Sequence, residues 1–170
     1  MIFVTGGAGF IGSNFILDWF DNNDEKVINL DNLTYAGNLK NLKSLDTNNL
    51  YNFVKGDVCD QSVVENIFDV FKPRALFHFA AESHVDRSIT GPEAFINTNI
   101  KGTFNLLQAS LKYYKNNYYE LRDTFRFIHV STDEVYGSLK INEPAFTENS
   151  SYAPNSPYSA SKAASDHLVR

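Results

Sequence analysis

Cysteine, methionine and tryptophan are scarce, with one of each in 170 residues. The lone thiol, Cys59, cannot close an intrachain disulfide or build a multi-cysteine metal site. That favours a reducing compartment, and the cytoplasm is the expected location. No metal is expected. Long apolar runs are missing too. Stretches such as ALFHFAA at 75–81 fall far short of the roughly 20 residues that span a bilayer, so no membrane partner is expected. No basic leader precedes IFVTGG, which argues against a signal peptide. Basic residues are in deficit, 15 against 20 acidic ones, for a net charge of −5. A broad cationic surface for nucleic acid is therefore excluded. A phosphorylated small ligand is not, because backbone N–H groups bind phosphate without net positive charge. Repeats, low-complexity tracts and linkers are also absent.

What is present alternates. Short runs that are nearly all apolar occur at 2–5, 26–31, 50–55, 74–80 and 125–132, as strands covered on both faces require. Between them lie stretches of helical spacing. Ile11, Phe15, Ile16 and Phe20 form one, and Val63, Ile67, Val70 and Phe71 another. A long stretch, 94–114, carries Phe95, Phe104, Leu107 and Leu111 as one stripe. Such strand–helix repetition predicts an α/β fold, a parallel sheet with helices on both faces. The length suits one domain with a real core. Residues 32–49 read as irregular with a short helix near 39–45. Residues 138–157 read as a long polar loop, and loops of that length tend to be functional.

TGGAGFIGS follows the first strand. Gly7, Gly9 and Gly12 fit G-x-G-x-x-G, and Gly6, Gly9 and Gly12 fit G-x-x-G-x-x-G. Glycines are needed where the chain turns tightly and a Cβ would block a pyrophosphate or the helix–sheet contact. A helix starting near Phe10 then points free N–H groups at the phosphates. Asp31 ends the second strand nineteen residues after Gly12. A carboxylate there accepts hydrogen bonds from a ribose and repels a 2′-phosphate, which favours NAD over NADP. Asp57, after the third strand, fits either a contact beside the adenine or a helix N-cap; spacing serves both.

Tyr-x-x-x-Lys occurs three times, as Tyr51/Lys55, Tyr136/Lys140 and Tyr158/Lys162. The first lies in a predicted strand, where positions four apart are about 13 Å from each other. The second straddles Gly137. Only the third falls in a helical pattern, where i and i+4 share a face. A tyrosine must drop about three units from its ordinary pKa near 10 to act as a base at neutrality, roughly 4 kcal/mol. Lys162 one turn away, with a cationic nicotinamide ring, supplies such a field. A surface tyrosine beside a solvated lysine is the alternative. STDEVYG at 131–137 poses the same choice: a polar turn, or Asp133 and Glu134 as an acid–base pair at a strand end.

These motifs, with LDNLTYAGN at 30–38, HFAAESHVDRSI at 78–89 and YSASKAASDHLVR at 158–170, resemble the extended short-chain dehydrogenase/reductase superfamily. Within it the sequence is similar to the dTDP-glucose 4,6-dehydratase family through essentially all 170 residues. The resemblance implies a Rossmann-like doubly wound sheet over residues 1–170, NAD as cofactor and dTDP-glucose as substrate. It places Gly6, Gly9, Phe10, Ile11 and Gly12 at the cofactor, followed by Asp31, Asn32, Leu33 and Thr34. Asp57, Val58, Phe79, Ala80, Ala81, Ser83 and Thr98 complete that set, with Tyr158 and Lys162 shared by the catalytic one. Tyr158 would take the C4-hydroxyl proton, Glu134 the C5 proton, and Asp133 would protonate the departing C6-hydroxyl. Thr132 would bond the C4 oxygen and Ser83 the substrate, while His84, Asp86 and Arg87 would hold a loop. Two adjacent carboxyls serve an acid and a base by pushing their pKa values apart.

Related epimerases, which typically carry small residues at this strand end, and a silent NAD-binding module remain alternatives. GDP-mannose dehydratases and UDP-glucuronate decarboxylases keep the glutamate but not the aspartate. The family's chains are about twice as long, and the sequence stops at Arg170 inside the catalytic helix. It therefore reads as an N-terminal portion, lacking the substrate-binding part and expected to be inactive alone. The resemblance also implies a homodimer through helices matching 94–116 and 158–170.

Overall fold

A computed structural model describes residues 1–170. The strands are β1 (Ile2–Thr5), β2 (Val27–Asp31), β3 (Tyr51–Lys55), β4 (Ala75–His78) and β5 (Arg126–His129). The helices are α1 (Phe10–Asn22), α2 (Gln61–Phe71), α3 (Val85–Thr90), α4 (Pro92–Phe95), α5 (Thr103–Asn116), α6 (Tyr118–Leu121) and α7 (Pro157–Val169). Leu39–Leu45 and Asp133–Tyr136 are 3₁₀ turns, and Ile96–Gly102 is a π-helical segment between α4 and α5. None of the helices is long and apolar enough to cross a membrane. The chain packs as two compact units. One is Met1–Ala80 with Asn105–Val130; the other is Ala81–Phe104 with Ser131–Arg170.

The first unit holds a five-stranded sheet in the order β3-β2-β1-β4-β5, every pair parallel. This is the Rossmann-like doubly wound arrangement. The period of two along each strand sorts side chains onto two cores. Phe3, Ile28, Leu30 and Leu76 face one way and pack with Val64, Ile67 and Phe68 of α2 and Leu106, Ala109 and Tyr113 of α5. Ile2, Val4, Val27 and Ala75 face the other way, against Ile16 of α1 and Leu42 and Leu45 of the 3₁₀ turn. The central strands β1 and β2 are buried throughout, whereas the edge strands β3 and β5 are only partly covered.

The predicted runs 74–80 and 125–132 outlast their strands, which end at His78 and His129. Residues beyond those points leave the ladder at the carboxyl edge of the sheet. The stripe on 94–114 is also split. Phe95 is buried, but Phe104 and Leu111 are 49% and 45% exposed, and α5 turns Leu106, Ala109 and Tyr113 to the core instead. A π-helical turn takes in extra residues and shifts the phase of all that follows, so one 3.6-residue stripe cannot run through it.

The second unit contains α3, α4, the π-helical segment, the 133–136 turn, the 138–157 loop and α7. His84, expected with Asp86 and Arg87 to hold a loop, is the N-cap of α3, and the other two lie within that helix.

Candidate functional site

β1 runs straight into the glycine loop. Gly6 sits at φ +71°, in the left-handed region, which glycine enters without steric cost. A Cβ on Gly6 would lie 2.5 Å from Ala80 N, and one on Gly12 would lie 2.3 Å from Gly6 O. The loop is thus closed on itself and against the residues leaving β4, at the switch point where the strand order reverses. Gly9 differs: a Cβ there would meet only Gly6 O, at 3.3 Å. Gly9 is also the N-cap of α1 and provides no side-chain cap, which leaves helix-terminal N–H groups for a ligand. Phe10 and Ile11 are exposed on that first turn.

Asp31 reaches this loop. Its carboxylate accepts hydrogen bonds from Ala8 N at 2.9 Å and Leu33 N at 2.8 Å. Leu33 itself has positive φ. Asn32 donates to Asp57 at 3.0 Å, and Asp57 also accepts from Cys59 N. The N-cap of α2 is Asp60, which accepts from Ser62 N and Val63 N, so Asp57 is not a helix cap. Val58 is buried, and Thr34 is exposed. Gly6, Phe79 and Ala80 meet at the carboxyl ends of β1 and β4, while Asp31, Asn32 and Asp57 cluster beyond β2 and β3.

One organiser of this loop was missed from the sequence. Asn29, fully buried in β2, accepts from Gly7 N at 3.0 Å and donates to the Tyr51 hydroxyl at 2.9 Å. A lone amide inside VINLD was the available signal.

The second unit carries the remaining residues. Thr132 is the N-cap of the 133–136 turn, its hydroxyl accepting from Glu134 N. Asp133 and Glu134 are the turn's first two residues, Asp133 exposed and Glu134 half-buried. Ala153 N bonds Val135 O, which folds the long loop back onto the turn. α7 opens with a reciprocal Ser156–Ser159 capping box and Pro157 in its first turn, a strong helix start. That fixes Tyr158 and Lys162 one turn apart, 8% and 4% exposed, with the Phe95 ring edge-on to Tyr158 at 6.3 Å. Of the three Tyr-x-x-x-Lys pairs, this is the one that the structure places on a helix. Burial pushes the Lys162 ammonium down to about 8, with the charge of Asp166 opposing the fall.

Asn99, in the π-helical segment, was also missed. It accepts from Glu82 N, donates to Glu82 O (both 2.9 Å), and donates to Ser161 Oγ at 2.8 Å. It ties the Ala81–Ser83 stretch to α7 and the segment bearing half-buried Thr98; Ser83 is exposed. No group of three or more His, Cys, Asp or Glu side chains is placed to hold a metal.

Residues 3–170 match the family model described as GDP-mannose 4,6 dehydratase. The chain belongs to this family. Among relatives of this GDP-mannose 4,6-dehydratase family member, the dTDP-glucose 4,6-dehydratase of Salmonella typhimurium is 52% identical over 99% of the chain and 49% of its own length. DesIV, a dTDP-glucose 4,6-dehydratase from Streptomyces venezuelae solved with NAD and TYD bound, superposes with a TM-score of 0.85. It is 45% identical, over 98% of this chain and 49% of that one. The UDP-Glc/GlcNAc 4-epimerase of Campylobacter jejuni has a TM-score of 0.85 at 30% identity, over 99% and 47% of the two chains. The chain spans about half the length of the curated relatives it matches.

Proposed function

We propose that the protein carrying these residues is a lyase that converts dTDP-glucose to dTDP-4-dehydro-6-deoxy-glucose with NAD. The observation that carries this reading is one compact unit holding both a buried Tyr158–Lys162 pair and the Asp133–Glu134 carboxylates. Residues 1–170 then act as an NAD-binding domain, with the nucleotide-sugar pocket completed beyond them, so the 170 residues alone would not turn over. NAD fits the glycine loop, where a Cβ on Gly9 would meet no neighbour but Gly6 O and α1 presents N–H groups without a side-chain cap. Asp31 favours an unphosphorylated ribose. Asn32, Leu33, Thr34, Asp57, Val58, Phe79, Ala80, Ala81 and Thr98 join the cofactor set.

When bound, NAD supplies the acceptor that takes hydride from C4 and later returns it to C6. Tyr158 accepts the C4-hydroxyl proton, and charged Lys162 favours the phenolate. Thr132 steadies the C4 oxygen and Ser83 the sugar nucleotide. The C4 ketone acidifies the C5 proton, Glu134 removes it, and Asp133 delivers a proton to the departing C6-hydroxyl. A cytoplasmic location suits the single free thiol. A homodimer is supported by apolar side chains left exposed on α5 and α7, Phe104, Leu111 and Leu168.

The epimerase likeness keeps a second reading, C4 epimerisation, in view. Epimerisation makes no use of an acid and a base for C5 and C6. Incubating the whole protein with NAD and dTDP-glucose should give the 4-keto-6-deoxy product. Asp133→Asn and Glu134→Gln should each lower turnover by about 10²–10⁴. Glu134→Gln should also let NADH accumulate and should abolish C5 proton exchange. A double variant with near wild-type turnover would return the carboxylates to a polar turn.

A further inference from the structure

Asp166 is the only acidic residue of α7, one helical turn beyond Lys162, and it is 9% exposed. Its carboxylate accepts hydrogen bonds from Ser131 Oγ at 2.7 Å and from the Tyr152 hydroxyl at 3.0 Å. Ser131 immediately precedes Thr132, the cap of the turn that carries Asp133 and Glu134. Tyr152 belongs to the 138–157 loop, and its ring lies edge-on to Tyr136, the last residue of that turn, at 5.3 Å. One carboxylate therefore gathers helix, turn and loop. Ionised, it accepts both donors and places a negative charge one turn from the buried ammonium.

We propose that Asp166 is a positioning residue: it fixes the Asp133–Glu134 turn against α7 and keeps Lys162 charged. The inference rests on the roles given above to Tyr158 and Lys162. Burial alone favours the neutral amine, and Asp166 is the charge that opposes it. Other titratable or charged groups around this cluster include Tyr158 on the same helix, Tyr136 and Tyr152, and His167 and Arg170 at the end of α7. The last two lie against the Tyr152 ring, at 5.1 and 5.4 Å. Neither hydroxyl donor to Asp166 carries a charge that could replace its own.

The test follows the Lys162 side chain by NMR across a pH titration of the whole protein, assigned by difference from Lys162→Met, beside the pH profile of dTDP-glucose turnover. Asp166→Asn should move the Lys162 titration and the alkaline limb of kcat/KM to lower pH by about half a unit or more. Asp166→Glu should leave both near wild type while lowering kcat. Ser131→Ala with Tyr152→Phe keeps the charge and removes the anchors, so kcat should fall with the Lys162 titration in place. An unshifted titration in Asp166→Asn overturns the proposal, as does an equal shift in Asp166→Glu. An Asp166→Asn protein that fails to fold also overturns it, by making Asp166 a structural residue. A wild-type protein inert toward dTDP-glucose would instead overturn the proposed function, while the titration still decides the effect of Asp166 on Lys162.

Discussion

Asn29 shows how one polar side chain disciplines a loop built mostly of glycine. Its amide is fully buried in β2 and joins Gly7 N to the Tyr51 hydroxyl. Replacing it with leucine keeps the branched shape but leaves Gly7 N buried without its acceptor, at about 1–3 kcal/mol, and removes the donor to the half-buried Tyr51 hydroxyl. Urea unfolding of Asn29→Leu should show a midpoint lowered accordingly with an unchanged slope, and NAD affinity should fall with it. An unchanged midpoint would leave Asn29 without this role. Residues of this kind are only half legible in a sequence. Gly6, Gly9, Gly12 and Asp31 announce themselves because a tight turn and a strand-end carboxylate each demand a particular residue type. Asn29 reveals only that an amide interrupts an apolar run, not what it bonds. Asp57 was ambiguous for the same reason: two aspartates, 57 and 60, stand before one helix, and only geometry shows that Asp60 caps it.

Among elements, the five strands and the principal helices are readable because a period of two and a period near 3.6 are written along the chain. The π-helical segment is not readable, since its defining i→i+5 bonds leave no periodic mark and only break the phase between Phe95 and Leu106. Its consequence is Asn99, turned inward to hold Glu82 by both backbone groups and Ser161 by its hydroxyl. π-helical turns often occur at functional sites, and this one fixes the stretch holding Ala81 and Ser83. Asn99→Asp is isosteric but has no amide hydrogens, so Glu82 O and Ser161 Oγ lose their donor. That variant should lose about 1–3 kcal/mol of stability, and Asn99→Ala should lose a similar amount. Thermal unfolding indistinguishable from wild type in both would show that the π-helical geometry is held elsewhere.

At the scale of the whole molecule, the proposed function requires a charge that the fold does not welcome. Lys162 titrates at about 8 because it is buried, against 10.5 for an unperturbed lysine. Its folded pKa lies below its unfolded one, so between about pH 8 and 10.5 the unfolded chain binds more protons. Its contribution to stability therefore rises with pH across that window, by an amount on the order of 3 kcal/mol at most. Tyr51, Tyr113 and Tyr152 act in the opposite sense. Burial raises each above 10, so the stability they contribute is present below that pH and is lost as pH climbs past it. Together they place the stability maximum near pH 10, where the rise from Lys162 gives way to the loss from the tyrosines. Lys162→Met keeps the stem and removes the charge. It should raise the unfolding midpoint at pH 7, flatten the rise between pH 8 and 10, and abolish turnover, as expected where activity depends on a destabilised site. A Lys162→Met protein less stable than wild type at pH 7 would show that the buried ammonium is a net stabilising group, held by partners stronger than the cost of its burial.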